Sequence, residues 1–242
     1  MLRIFILYLI SVCHTLEVYG TPFHQSQPLY HSISIQEDSL QKLQSLYRGV
    51  IWTNKYRRYE GDQFFLTSRF IPGTVTVDGH TYKNLRLKYD ILSDEIITPL
   101  NMDEIIQLNK EIIDSFSLSV ENRIYRFINM QNDSTALLNG YCNLIYNGRS
   151  CLYVKYVKKA TTAVTPQSDG EFNQSSRIFV VYRDVAFQVK NSRDLLEIFS
   201  DHKEEIKQFI SEKRLKLSKN DPWSFIPVME YYDSIDLQKH LN

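Results

Sequence analysis

The chain lacks an excess of charge of either sign. Its 28 lysine and arginine residues are matched by 28 aspartate and glutamate residues in a length of 242. Binding to phosphate backbones draws on clustered basic side chains, and no long basic run occurs, so we expect no nucleic-acid partner. The chain also lacks a long hydrophobic run. The apolar stretch at residues 4–12 is soon interrupted by His14 and Glu17, and is too short for a comfortable membrane span.

The short motifs of common catalytic and cofactor sites are also absent. The histidines show neither the i, i+4 spacing nor the H-E-x-x-H pattern of a zinc site. There is no G-x-S-x-G nucleophile elbow and no D-x-D-x-D-G calcium loop. Gly140 and Gly148 belong to a predicted hairpin rather than to a phosphate-binding loop. The sequence therefore predicts no metal and no cofactor.

The first twenty residues have the pattern of a secretory signal. Arg3 precedes the apolar run, and the small residue Gly20 marks the most favourable cleavage position. The sequence therefore predicts export, and cleavage that leaves 242 − 20 = 222 residues. An uncleaved anchor is the alternative. Residues 21–34 are polar and interrupted by two prolines, which predicts a flexible N-terminal arm.

The clearest structural pattern is a predicted hairpin around Asp78-Gly79. Valines alternate with threonines before this dipeptide, which favours a tight turn. A two-residue turn places Val75 opposite Tyr82. The alternation that resumes at Leu85 has the opposite parity, so either a bulge at Lys83-Asn84 restores the face or the sheet changes side there. A second turn near residues 92–94 returns the chain antiparallel.

The remaining pattern predicts an α+β fold that is rich in β-structure. Residues 35–190 are expected to form an antiparallel β-rich body with a short helix at its start. Successive hairpins give a meander, which forms a curved sheet or partial barrel. Residues 160–176 are small and polar and include a proline, so they predict a long loop. The hydrophobic content of the whole chain, 43%, is sufficient for a sizeable core.

The pattern changes after residue 190. Residues 191–242 predict two or three helices that pack on the body and close it. The expected starting residues are Ser192 for the first helix and Ser200 or Asp201 for the second. Asn220 and Asp221, directly before a proline, mark the start of the third.

Aromatic and basic residues are interleaved between residues 50 and 70. The aromatic members are Trp52, Tyr56, Tyr59, Phe64, Phe65 and Phe70. Such a pattern can form a stacking surface for single-stranded nucleic acid or for sugars. More often it belongs to strand residues that reach outward from a core, and a neutral, exported chain favours that interpretation.

Two cysteines follow the signal, Cys142 and Cys151, on either side of the turn dipeptide Asn147-Gly148. A two-residue turn makes them diagonal neighbours on one face, and a four-residue loop places them opposite each other. Both geometries are near the limit for a disulfide. Export favours a bridge, whereas two buried free thiols are the alternative.

The densest acidic cluster contains Asp90, Asp94 and Glu95, beside the second predicted turn. Paired carboxylates can act as acid and base, so these are the candidate catalytic residues, although aspartate is also an ordinary turn residue. A basic set could meet an acidic partner or lipid head groups, or could simply guard solvated strand edges. Its members are Arg149, Lys155, Lys158, Lys159, Arg177, Arg183 and Lys190.

Several of these patterns together resemble a known family. Residues 73–90 read Gly-x-Val/Thr-x-x-Asp-Gly-x-x-Tyr and then Leu-x-Leu-x-Tyr-Asp. Phe116-Ser-Leu, an Asn-Gly hairpin running into Lys158-Lys159, and Tyr231-Tyr232 follow. The chain is similar here to uncharacterised exported proteins of Bacteroides-type Gram-negative bacteria. The resemblance implies a periplasmic location or one on the periplasmic side of the outer membrane, and carries no known activity. The cysteine pair is a departure from the pattern.

The leading hypothesis from the sequence is a non-enzymatic envelope protein that binds or assembles with a partner. The partner is expected to be another envelope protein or an apolar ligand. One alternative is a hydrolase of an envelope polymer that uses the acidic residues near Asp90. Another is a carrier of an apolar ligand or lipid.

Overall fold

The computed structural model describes residues 44–131, 137–162 and 165–241, with side chains described as far as residue 235. The predicted signal and arm therefore lie outside the described residues. So does most of the predicted N-terminal helix, of which residues 44–46 are helical.

Within the described residues, twelve strands form one sheet and three α-helices follow it. The strands are β1 (Val50–Ile51), β2 (Tyr59–Glu60), β3 (Ile71–Val77), β4 (His80–Asp90), β5 (Glu95–Pro99), β6 (Ile105–Gln107), β7 (Ser115–Val120), β8 (Arg123–Asn129), β9 (Tyr141–Asn147), β10 (Cys151–Thr162), β11 (Gly170–Tyr182) and β12 (Val185–Val189). The helices are α1 (Ser192–Ile198), α2 (Lys203–Glu212) and α3 (Ile226–Leu241). The predicted β-rich α+β class is confirmed.

The strand order of the sheet extends from β3 and β7, in its middle, toward both edges. Its order is β1-β6-β5-β4-β3-β7-β8-β9-β10-β11-β12, and β2 adds to β11. The chain runs from β3 to one edge, returns to place β7 beside β3, and then continues to the other edge. The predicted meander is therefore correct on each side, and β3 with β7 is the pairing that joins the two sides.

The hairpin around Asp78-Gly79 has the predicted register. Val75 lies opposite Tyr82, and the register then shifts so that Gly73 lies opposite Leu85. Lys83 and Asn84 together lie opposite the single residue Thr74, so β4 has one extra residue here, and Asn84 has a positive φ of 59°. The bulge therefore restores the face of the strand, and the apolar side chains on both sides of it meet one core.

The prediction of a loop at residues 160–176 is wrong for most of these residues. β10 and β11 pair without interruption from Cys151 opposite Val181 to Thr162 opposite Gly170. At this end of the β10–β11 pair both faces are largely exposed to solvent, so the polar composition of the strands resembles that of a loop. Threonines and long-range pairing nevertheless support the strand conformation. The chain reverses only between residues 162 and 170.

Helix α1 begins at Ser192 and the helical segment before α3 begins at Pro222, as predicted, whereas α2 begins at Lys203 rather than directly after Ser200 or Asp201. Asn191, not Ser192, caps α1, and its side chain accepts hydrogen bonds from the backbone N–H groups of Arg193 and Asp194. A 3₁₀ turn over Ser200–His202 precedes α2, which has no side-chain cap. Pro222–Phe225 forms a further 3₁₀ turn before α3. No helix in the described part of the chain is both long and apolar enough to cross a membrane.

Two main apolar cores lie side by side on one face of the sheet, because Leu152 of the second core and Val154 of the first are two positions apart on β10. The first fills the concave face with buried aromatic rings, and Phe65 packs there against Tyr156 and Phe127 at ring-centre distances of 4.7 and 5.2 Å. The second lies between β10–β12 and the helices. The sheet curves so far around the first core that Lys158 N of β10 donates a hydrogen bond to the carbonyl of Ile91, at 3.1 Å.

Phe65 and Leu66 provide a matched test of the first core. Phe65→Ala should lower the free energy of unfolding by about 3–5 kcal/mol, because it leaves a cavity among packed rings. Leu66→Ala should change it by less than about 0.5 kcal/mol, because that side chain is 51% exposed. Chemical denaturation of both variants measures the difference. Equal effects would show that Phe65 does not hold this core.

Candidate functional site

A groove runs beneath strand β1 on the convex side of the sheet. It consists of two adjoining cavities of about 440 and 470 Å³, which share Val50 and Gln107 in their linings. The first cavity is lined by Trp52 and Tyr56 on one side and by the turn after β4 on the other. We call the two cavities together the β1 groove.

Asp90 lies in the first cavity and is 3% exposed. Its Oδ1 accepts hydrogen bonds from the backbone N–H groups of Leu92 and Ser93, at 3.0 and 3.1 Å, so the side chain shapes the turn after β4. Burial raises the pKa of Asp90, although these bonds and one from the Gln63 side chain oppose the rise. The carboxyl group is therefore held in one orientation at the floor of the cavity.

Glu95 lies directly opposite Asp90 in the β4–β5 pair and lines the second cavity. Burial is the largest cause of the raised pKa of Glu95, and the positive charge of Lys110 opposes this rise. Its Oε2 is buried and has no hydrogen-bond partner among the described residues. Opposite residues in a sheet have Cβ atoms roughly 4.5–5.5 Å apart, so the two carboxyl groups share one face of the groove.

Asp94 faces the concave side, away from the groove. Its Oδ2 accepts hydrogen bonds from Lys110 Nζ at 2.8 Å and Lys155 Nζ at 3.1 Å, and its Oδ1 accepts one from the Tyr89 hydroxyl. The backbone N–H of Tyr141 also donates to it, at 3.2 Å. Two lysines therefore form ion pairs with this carboxylate, which ties the turn to the segment after β6 and to β10.

Buried tyrosines surround the Asp94 network. Burial raises the pKa of Tyr89 well above its usual range, and the negative charge of Asp94 adds to the rise. Burial also raises the pKa of Tyr141, with Glu95 and Asp94 contributing. Both phenols are therefore neutral at physiological pH, and the network holds its turn without supplying a nucleophile.

The predicted acidic cluster is thus divided between two sides of the sheet. Asp90 and Glu95 meet in the groove, whereas Asp94 is enclosed on the other face. No group of three or more His, Cys, Asp or Glu side chains in the described ranges is placed to hold a metal ion.

Two of the basic residues lie inside rather than on a solvated edge. Lys155 is 7% exposed and binds Asp94 and the carbonyl of Tyr141. Lys158 donates to the backbone carbonyls of Asp62 and Phe64, each at 2.7 Å. These lysines fasten the chain on the concave side to β10, so the partner role considered for them from sequence has no support from their positions.

The aromatic stretch at residues 50–70 is divided between the first core and the lining of the groove. Phe64 and Phe65 are buried, as the core interpretation predicts. Trp52 and Tyr56 are half-buried and line the groove, which the sequence interpretation missed because the segment is irregular and has no periodicity. Lys88 lies over the rings of Phe64 and Phe70, and burial lowers its pKa.

Cys142 and Cys151 are not joined by a disulfide in the structure. A three-residue turn places Cys151 opposite Asn147, whereas Cys142 lies opposite Ile128 of β8. Cys142 and Asn147 are five positions apart along β9, roughly 16 Å of strand, far beyond the reach of a disulfide. Of the two alternatives left open by the sequence, unbridged cysteines are the one that this register produces.

Gly140 should be the most sensitive glycine in the Asp94 network. It has a φ of +82°, and a Cβ there would collide with Asp94 Oδ2 and approach Lys155 Nζ. Gly79 has a similar φ of +74° but open space around it. We expect Gly79→Ala to cost about 1 kcal/mol and Gly140→Ala at least about 2 kcal/mol more, measured by denaturant unfolding. Equal costs would show that the network tolerates displacement of its carboxylate.

Comparisons with protein-family models, with curated proteins and with solved structures find no match to this chain. The resemblance to exported proteins of Bacteroides-type bacteria therefore stays a prediction.

Proposed function

We propose that the protein is an exported, non-enzymatic binding module of the cell envelope, and that it holds a small molecule in the β1 groove. The observation that carries this proposal is the first cavity. It joins an aromatic wall, Trp52 and Tyr56, to the buried polar side chains Gln63 and Asp90. Export to the periplasm is a prediction from the N-terminal segment and from the family resemblance.

The size and lining of this cavity support a small ligand. Its volume of about 440 Å³ falls in the range of ligand sites, about 300–1,000 Å³. Such sites combine apolar walls with a few fixed polar groups. Val50 and Ile51 at its mouth are 71% and 52% exposed, so apolar area is available for contact.

The concave face of the sheet supports the carrier alternative less well. Phe65, Tyr89, Phe116 and Phe127 fill it with rings 4.6–6.3 Å apart. A lipid chain in this position would have to displace closely packed aromatic side chains. The groove on the convex side is therefore the better candidate for a ligand, and its exposed rim could equally meet another envelope protein.

Native mass spectrometry tests this proposal. Protein extracted gently from its host envelope should retain a small molecule, and Thr53→Trp should abolish that retention because the new ring fills the first cavity. Ser119→Trp is the matched control, because Ser119 is exposed on β7, five strands from β1, and lines neither cavity of the groove. A bare wild-type chain, or equal retention by both variants, would refute ligand binding in the groove.

A second candidate function is hydrolysis of an envelope polymer. It is favoured by one observation: Asp90 and Glu95 lie opposite each other in the groove, and burial raises the pKa of both. Glu95, with its unpartnered Oε2, would give a proton to the leaving group. Asp90 would take the proton from the attacking water.

The pH dependence of polymer breakdown tests this second function. Release of soluble fragments from purified envelope polymer should fall as the pH rises through the raised pKa of Glu95, because the acid form is then lost. Glu95→Gln should lower the rate by about 100-fold or more. Glu197→Gln, an exposed change on α1, should leave it unchanged. Absence of breakdown by the wild-type protein would eliminate this function.

A further inference from the structure

We propose that the ligand of the β1 groove is a neutral saccharide. This inference rests on the proposed function and adds the chemical class of the ligand. Three features of the first cavity lead to it: the aromatic wall, the buried hydrogen-bonding groups and the balance of charge.

The aromatic wall suits the C–H face of a sugar ring. Trp52 packs against Phe64 at 5.7 Å, and Tyr56 has edge contacts with Tyr59 and Phe172 at 5.0 and 5.5 Å. Both rings are thus held by neighbours while still lining the cavity. Stacking on such fixed rings costs little conformational entropy, and it accepts any ligand that presents a flat, weakly polar face.

The opposite side of the cavity suits hydroxyl groups. Asp90 and Gln63 are each 3% exposed and hydrogen-bond one another, so both side chains are held in fixed positions. Ser93, whose side chain also hydrogen-bonds Asp90, and Gln107, whose side chain hydrogen-bonds Glu95, line the cavity as well. This set contains both donors and acceptors at one face, which matches the adjacent hydroxyl groups of a sugar better than it matches a purely apolar molecule.

The charge of the lining favours a neutral ligand. Lys55 and Asp90 are the charged residues of the first cavity, one of each sign. An anion would meet the buried carboxyl group of Asp90, and a cation would meet the ammonium group of Lys55. A polyhydroxylated neutral molecule escapes both penalties and can hydrogen-bond to both groups.

Titration of the full-length protein with defined sugars tests this inference. The probes are glucose, N-acetylglucosamine, cellobiose and chitobiose, and saturation-transfer NMR reports binding. Choline and decanoate serve as a cationic and an apolar comparison. We expect saturable binding of at least one sugar and none of choline or decanoate. Saturable binding of choline or decanoate with none of the sugars would overturn the inference, as would failure of all four sugars to bind.

Variants locate the binding. Trp52→Ala should weaken it by at least about tenfold, as loss of one stacking ring does. Asp90→Asn keeps the oxygen that accepts from Leu92 and Ser93, so it should fold while weakening binding. Trp223→Phe replaces the other tryptophan, which packs on Tyr125 away from the groove, and should leave the affinity unchanged. Equal affinities in all three variants would overturn the assignment to this cavity.

The two proposals fail in different ways. A retained molecule that is lost in Thr53→Trp but is not a sugar leaves the binding function standing and removes only the saccharide inference. If the wild-type chain retains nothing and binds none of the probes, both proposals fall together.

Discussion

The carboxylate of Asp94 is the contact on which the arrangement around the groove depends. It is shared by two lysines that come from the segment after β6 and from β10, and it also accepts the backbone N–H that starts β9. Separating these charges in a partly buried site would leave an uncompensated ion, which is costly. The turn between β4 and β5 is therefore held from the concave side, and Leu92 and Ser93 of the same turn line the groove.

The turn between β4 and β5 therefore has different environments on the two faces of the sheet. On the concave side, charge neutralisation and aromatic packing leave little that a ligand could use. On the convex side, burial raises the pKa of both Asp90 and Glu95; backbone and side-chain hydrogen bonds oppose the rise at Asp90, and the charge of Lys110 opposes it at Glu95. Polar groups kept in such a state are found preferentially at binding and catalytic sites.

Local sequence patterns predicted the parts of the fold that local forces determine. The hairpin register around Asp78-Gly79 and the bulge at Lys83-Asn84 follow from turn chemistry and side-chain parity. The ion pair of Lys155 with Asp94 joins residues 61 positions apart, and Lys158 contacts Asp62 across 96 positions. No local pattern distinguishes these lysines from surface lysines. The aromatic wall was equally hidden, because Trp52 and Tyr56 lie in an irregular segment whose path is set by the strands beneath it.

The outward growth of the sheet from β3 has a consequence for the order in which the chain can fold. Among described strands longer than two residues, every pairing joins consecutive strands except that of β3 with β7. The hairpins on each side can therefore form with short loop closures, and one long closure remains to bring the halves together. Contacts between residues far apart in sequence slow folding, so we expect association of β3 with β7 to be the slowest of these pairings. During synthesis, β3 to β6 leave the ribosome before β7. The edge of β3 that pairs with β7 therefore stays unpaired until β7 has been synthesised.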